Sequence, residues 1–374
     1  MNSDFSRRNF LATGLALPAA NAIPAVPAAA EPPAAKGLSY RVLGKTGLKV
    51  TTVGFGCMIT SDPAVISRAV DMGINYFDTA RIYQGGNNER MVGAALGAKR
   101  KNVILSSKTE AETKDGALAQ LEESLKTLGT DYLDIWYLHG KSSPEGISDG
   151  LVEAQEIAKK QGKTRFIGVS THRLSSISEA VIKAGKMEVV LTTYNFTMSG
   201  GIDAAIAALS QARVGVVAMK VMAGGMRGRN RTPREGLPAA ALKWVLKNPG
   251  IATTIPSMTD ADQLQQNFQA MSERFSETDQ TVLTARAEEV RPLYCRMCGT
   301  CDGKCPQGLP VSDVLRYLTY AEGYGQFPLG RERFLGMPGN LAGVRCRDCS
   351  SCPIGCPNGV RVTERLMRAQ ELFA

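Results

Sequence analysis

The sequence predicts an α/β chain: a closed (β/α)8 TIM barrel followed by a small, cysteine-rich C-terminal domain. Three observations predict it. From Thr51 onward short β-rich runs alternate with helix-period stretches, and the alternation counts to eight over about 220 residues, as parallel βαβ units closing into a barrel require. No glycine-rich dinucleotide fingerprint follows the first strand, which weakens the competing open, doubly wound sheet. Eight of the nine cysteines fall between Cys295 and Cys356, leaving Cys57 alone upstream.

The elements follow in order. Residues 1–30 have the pattern of a targeting segment: "SRRNFL" (Ser6 to Leu11) precedes a mildly apolar, Ala-rich run and resembles a twin-arginine export signal. Pro18, Asn21, Pro24 and Pro27 interrupt that run and argue against a stable membrane anchor. Cleavage is expected near Ala28 to Ala30, with residues 31–37 as a linker and export to the periplasm or an equivalent compartment. The barrel domain is set at 38–285 and the C-terminal domain at 286–374. "SYRVLGKTGLKV" reads as a hairpin turning at "KTG". The eight candidate strands are "TTVGFGCM", "INYFDTA", "VILSSKT", "YLDIWYLHG", "TRFIGVSTH", "MEVVLTTYN", "VGVVAMKVM" and "IATTIPSM". The intervening "DGALAQLEESLKTLG" carries Leu118, Leu121, Leu125 and Leu128 at helical spacing and ends on the capping Gly129.

The formal charge of +9 admits acidic partners, but the basic residues are dispersed, which disfavours nucleic acid. In such barrels chemistry sits where strands enter their helices. Asp78 and Tyr83 follow the second strand, Lys108 ends the third and His139 ends the fourth; His172, the other histidine, lies on the same face. The set suits carbonyl reduction: a tyrosine can donate a proton to the developing alkoxide if its pKa falls from about 10. Lys108 is expected to lower it, Asp78 to hold Lys108, and His139 to bind the substrate oxygen. Singly, each has a duller explanation: Asp78 as a helix cap, Tyr83 as rim packing, Lys108 as a solvated charge.

From Val53 to about Phe268 the chain resembles the aldo-keto reductase family, on the motifs "FDTA", "YQGGNNERMVG", "DYLDIWYLHG", "IGVSTH" and "QQNF". The resemblance implies the barrel, an oxidoreductase, a catalytic set of Asp78, Tyr83, Lys108 and His139, and a nicotinamide cofactor, NAD(P)(H). The cofactor positions depart from the family pattern. Ser170 is retained, but Thr171 and Leu191 replace the Asn and Gln that commonly hold the nicotinamide, and Met219 replaces its stacking aromatic. Ser257 and Gln263 stand where Lys and Arg usually grip the 2'-phosphate, while Asn267 keeps the adenine position. Lys220 and the loop with Arg227, Arg229, Arg231 and Arg234 offer alternative phosphate contacts; a solvated loop edge is the competing explanation.

"CRMCGTCDGKCP" and "CRDCSSCPIGCP" each read C-x2-C-x2-C-x3-C-P. In two-cluster ferredoxins with this run, the fourth cysteine ligates the other cluster. The expected sets for two 4Fe-4S clusters are therefore Cys295, Cys298, Cys301 and Cys356, and Cys346, Cys349, Cys352 and Cys305. Zinc and disulfides remain the alternatives. The 306–345 insertion is longer than a minimal ferredoxin needs, and "VSDVLRYLTYAEGYG" reads as an amphipathic helix within it. Export of a folded protein would protect clusters built in the cytoplasm.

The leading expectation is an exported iron-sulfur oxidoreductase acting on a small carbonyl or alcohol, a sugar among the candidates, with an electron-transfer protein as a further partner. Hydride carries two electrons and each cluster accepts one, so direct relay meets a physical objection. The alternative is a barrel that binds a ligand without turnover and scaffolds a ferredoxin-like electron carrier.

Overall fold

The structure, a computed structural model, describes residues 37–198, 200–225 and 236–374. The segment read as an export signal, Arg227 and its neighbouring loop arginines lie outside the described residues. The chain opens with β1 (Tyr40–Val42) and β2 (Lys49–Thr51), an antiparallel hairpin as expected. Strand and helix then alternate: β3 (Phe55–Gly56), α1 (Pro63–Asp71), β4 (Tyr76–Asp78), α2 (Asn87–Leu96), β5 (Ile104–Thr109), α3 (Lys114–Leu128), β6 (Leu133–Leu138), α4 (Asp149–Lys160), β7 (Thr164–Thr171) and α5 (Leu174–Ala184). The alternation continues through β8 (Val189–Thr193), α6 (Gly201–Gln211), β9 (Gly215–Met219), α7 (Leu237–Leu246), β10 (Thr253–Thr254) and α8 (Ala261–Gln269). Four further helices follow: α9 (Glu277–Val290), α10 (Val311–Tyr324), α11 (Phe327–Leu335) and α12 (Val362–Phe373).

β3 to β10 pair in sequence order, all parallel. A parallel bridge between Val53 and Thr254 closes the ring. The first and last strands are shorter than their apolar runs predict. Closure there is made mainly by flanking bonds: Thr254 N–H donates to Thr52 O (3.0 Å), Gly54 N–H to Thr254 O (2.8 Å) and Gly56 N–H to Pro256 O (3.0 Å). A Cβ on Gly56 would stand 2.5 Å from the Ile255 carbonyl oxygen, so glycine permits the approach. Pro256 has no N–H with which to extend β10.

Strand alternation divides the core in two. One face packs on the helices through residues such as Phe77, Leu105, Trp136 and Val169. The other fills the barrel with Tyr76, Ile135, Tyr137 and Leu191, and the Tyr76 and Tyr137 hydroxyls meet at 2.8 Å. The hairpin plugs the end opposite the strand C-termini, where Leu43 and Val50 join this inner core. Helix α3 buries Leu121, Leu125 and Leu128 and ends at Gly129 in the left-handed region (φ 64°).

The C-terminal segment builds its own apolar core where α10, α11 and α12 meet, around Leu315, Leu318, Phe334, Leu366 and Phe373. It packs on the barrel; all described residues fall within one compact unit. Among the described residues no helix is long and apolar enough to cross a membrane.

Candidate active site

Strand pleating places Ser106 and Lys108 on one face of β5, both reaching Asp78 at the end of neighbouring β4. Lys108 Nζ donates to Asp78 Oδ2 (2.5 Å) and to the Thr79 carbonyl (2.6 Å), while Ser106 Oγ donates to Asp78 Oδ1 (2.7 Å). On the other face Ser107 Oγ donates to Glu89 Oε1 (2.6 Å), which fixes α2 behind the site. Tyr83 opens the turn after β4, its ring centroid 4.9 Å from Lys108 Nζ. It meets the His139 ring edge-on, with centroids 5.9 Å apart. The four residues singled out at the strand ends thus converge.

Their protonation differs from expectation in one respect. Lys108 is expected to lower the Tyr83 pKa, yet the phenol is pushed well above 10, first by burial and then by Asp78, Tyr320 and Glu110. The Lys108 ammonium is already engaged by Asp78 and Thr79, so its field is largely compensated. Burial also lowers the Lys108 pKa, against the pull of Asp78. Burial, with Lys108, Arg333, Arg316 and Lys220, holds His139 well below 6.5, so its imidazole is neutral. His139 Nδ1 lies 3.4 Å from Glu110 Oε1 without hydrogen-bond geometry and has no other partner. His172 Nδ1 pairs with Thr193 Oγ1 at 2.8 Å, and its pKa is likewise lowered by burial and nearby cations.

Asp78 and Tyr83 open into a cavity of about 790 Å³ whose wall also includes Gly56, Lys220, Asn267 and Tyr324. Asn267 is 3% exposed and its Oδ1 has no partner, an acceptor ready for an amino group such as that of adenine. The nearby N-terminus of α8 is capped by Asp260, which accepts from Gln263 N–H (2.8 Å) and holds the Gln263 side chain (2.5 Å). A carboxylate therefore stands beside the position at which the family resemblance expects a 2'-phosphate to be gripped. Ser170 is absent from the described cavity wall: its Oγ accepts from Gly140 N–H (2.8 Å) and donates to Leu138 O (3.4 Å). Leu191 is fully buried inside the barrel, Thr171 Oγ1 accepts from Arg173 N–H (2.8 Å), and Met219 lines the cavity.

The sequence reading missed the other wall of the site. Helix α10 crosses the barrel mouth, with Gly323 so close to Gly224 that a Cβ would lie 2.2 Å from its carbonyl oxygen. Arg316 Nη1 donates to Tyr320 OH (3.2 Å), and Lys220 Nζ stands 5.0 Å from the Tyr320 ring centroid and 4.4 Å from that of Tyr324. Arg333 of α11 donates to Glu110 Oε2 (2.5 Å), tying the C-terminal segment to the loop after β5. The available signal was the spacing of Arg316, Tyr320 and Tyr324 every four residues, which puts all three on one helical face.

The cysteines fall into two neighbourhoods. Cys295 lies within the electrostatic influence of Cys301, Cys298 and Cys356; Cys346 lies within that of Cys305, Cys349 and Cys352. The fourth thiol of each neighbourhood comes from the other motif, and no disulfide forms among the described residues. Among them, no three potential ligands gather as on one metal ion. A four-iron cube spreads its thiolates over separate irons and does not need that convergence.

Residues 61–238 match the aldo/keto reductase family and residues 294–360 match a 4Fe-4S dicluster domain. The uncharacterized oxidoreductase YqkF of Bacillus subtilis is 26% identical over 63% of this chain and 91% of its own length. L-Galactose dehydrogenase of Arabidopsis thaliana is 28% identical, covering 63% of this chain and 89% of its own. Among solved structures, the holo form of aldo-keto reductase AKR11C1 from Bacillus halodurans superposes with a TM-score of 0.58 at 25% identity, over 67% of this chain and 96% of that one. The chain is thus an oxidoreductase of the aldo-keto reductase type, whose (β/α)8 domain is joined to a C-terminal 4Fe-4S dicluster domain.

Proposed function

We propose that the barrel interconverts a small carbonyl compound and its alcohol, with Tyr83 exchanging the proton at the substrate oxygen. The observation that carries this is the buried Lys108–Asp78 pair beside Tyr83 and neutral His139, with Asp78 and Tyr83 in the wall of one cavity. Tyr83 is held protonated by burial and by Asp78, the state a general acid needs for the reducing direction. His139, neutral, donates a hydrogen bond to the carbonyl oxygen and orients it. Lys108, pinned by Asp78 and Thr79, holds its ammonium 4.9 Å from the Tyr83 ring centroid and keeps the phenol in place.

A nicotinamide dinucleotide bound in the cavity would supply or accept the hydride. The free acceptor of Asn267 suits its adenine, and Asp260 disfavours a 2'-phosphate, which supports NAD(H) over NADP(H). A sugar remains a candidate substrate class, in keeping with the relative named L-galactose dehydrogenase. The C-terminal cysteines, in the two sets of four expected from their spacing, would hold two clusters that exchange single electrons with a partner protein.

The engaged Ser170 hydroxyl and buried Leu191 favour the second reading, a binding scaffold without turnover. Tyr83→Phe separates the two. Under the proposal it lowers turnover about a hundredfold or more while substrate affinity barely changes. Wild-type turnover in that variant would overturn the role of Tyr83, whereas ligand binding with no turnover in the wild-type protein would leave the scaffold. Export rests on "SRRNFL" alone. Changing Arg7 and Arg8 to lysine should retain a folded precursor in the cytoplasm, and its appearance outside would refute the targeting.

A further inference from the structure

Three of the cations around the barrel mouth have a carboxylate partner. Lys108 pairs with Asp78 (2.5 Å), Arg333 with Glu110 (2.5 Å) and Arg316 with Asp313 (2.9 Å). Lys220 is the exception. Among the described residues its ammonium meets only the Met58 sulfur at 3.7 Å and the faces of Tyr320 and Tyr324. Lys220 also has a left-handed backbone (φ 59°), a strained conformation for an L-residue and one that clusters at functional sites. The strained turn aims its side chain into the cavity beside Asp78 and Tyr83.

Arg316 supplies a second unfilled valence. Its two terminal nitrogens are engaged by Tyr320 OH (3.2 Å) and Asp313 (2.9 Å), but its Nε–H is buried without an acceptor. Arg316 Cζ lies 5.8 Å from the Tyr320 ring centroid and Lys220 Nζ 5.0 Å, so the two cations flank one ring. Both also lower the pKa values of His139 and His172, so their charge is felt on the histidine side of the site.

A partly buried cation without a counter-ion among the described residues is costly, and so is a buried donor without an acceptor. A single group repairs both: an anion with two acceptor oxygens, one for the ammonium and one for the Nε–H. Burial, together with the Arg316 and Lys108 charges, lowers the Lys220 pKa to about 7 against the pull of Asp78, and an anion bound beside it would raise it again.

We propose that Lys220 and Arg316 form an anion subsite under α10, and that the substrate is a carbonyl compound, or its alcohol, bearing an acidic group such as a carboxylate. This rests on the carbonyl–alcohol reading of the barrel and specifies its substrate class. One cation comes from the barrel and the other from the helix between the two cysteine motifs, so the 4Fe-4S domain helps select the substrate whatever electrons it carries. The same chemistry could seat the diphosphate of a dinucleotide. The proximity of both cations to the two histidines favours the substrate.

Matched probes test this on anaerobically prepared holoprotein by calorimetric titration. D-Glucuronate is compared with D-glucose, glyoxylate with glycolaldehyde, and NAD⁺ is titrated separately. The acid of at least one pair should bind about tenfold or more tightly than its neutral analogue, the scale of a charge-assisted hydrogen bond. Lys220→Met and Arg316→Gln should each erase that preference, and Arg316→Lys should restore part of it. Equal binding of acid and neutral analogue by the wild-type protein would overturn the proposal without any variant. Loss of NAD⁺ binding in Lys220→Met with the acid preference intact would assign the anion to the cofactor and overturn it too. Because binding is read without turnover, Tyr83→Phe must keep the acid preference. If it keeps both preference and turnover, the proton role fails and the subsite stands.

Discussion

The barrel and the cluster domain are held together by different means. The barrel has two apolar layers, one against its helices and one inside the strands, and a parallel ladder that pairs its backbone groups. Residues 291–361 contain α10 and α11, but the cysteine motifs themselves lie in loops and a 3-10 turn (Cys346–Asp348). Their apolar support is the small core shared with α12, against whose edge Cys295, Cys301, Cys305, Cys346 and Cys356 pack. The barrel carries enough buried surface to keep its shape alone, whereas loops bearing eight thiols take theirs from the metal they bind. Yet α10, anchored between those loops, supplies one wall of the site. The part of the molecule that depends on a cofactor thus completes the part that does not.

The strongest test of this contrast is to remove a thiolate. Wild-type protein prepared without oxygen should contain about eight iron and eight acid-labile sulfide per chain; zinc without sulfide would break the comparison at its root. Cys298→Ala should lose about half of that iron and open residues near Cys295 and Cys356 to protease, while the barrel keeps its melting transition. If the barrel melts together with the cluster domain, the two regions are one cooperative unit and the contrast fails.

Legibility in the sequence follows the same division. The barrel could be read because its signals are local: apolar runs at strand length, helices with Leu at 3.6-residue spacing, and polar residues at strand ends. Asp78, Lys108 and His139 were visible for that reason, and the ladder then fixes their mutual register. The strand lengths at closure were not, because the Gly56–Ile255 approach is a matter of backbone contact across the ring. The direction of the Tyr83 pKa was missed because proximity to Lys108 says nothing of how far Asp78 and burial offset it. Arg316, Tyr320 and Tyr324 escaped altogether. Their helix was recognised, but its docking over the barrel mouth depends on Gly323 meeting Gly224 and on Arg333 reaching Glu110, contacts between distant parts of the chain that no local pattern announces.

The smallest expected effect concerns the joint. Helix α9 packs behind the barrel and leads into Tyr294 and Cys295, where Tyr294 OH meets Asn195 Nδ2 at 3.1 Å. Its first turn is a reciprocal cap: Asp279 N–H donates to Ser276 Oγ (3.2 Å) and Ser276 N–H to Asp279 Oδ2 (2.7 Å). Lys243 of α7 holds Asp279 Oδ1 at 2.8 Å, which couples the cap to the barrel. Burial raises the Asp279 pKa, but the bonds from Lys243 and Ser276 outweigh it and the net shift is downward. A carboxylate depressed in the folded state stabilises above its unfolded pKa, about 3.9, and that contribution is lost as pH falls through the folded value. Asp279→Asn should therefore cost about 1 kcal/mol at pH 7, the scale of a helix cap, and the gap to wild type in thermal melts should narrow toward pH 3. A gap that stays constant over this range would mean that the carboxylate charge contributes nothing. Iron content decides what the joint belongs to: unchanged iron in Asp279→Asn assigns α9 to the barrel, whereas iron lost in step with the melting temperature would show that the cluster loops depend on the barrel for their footing as well as on metal.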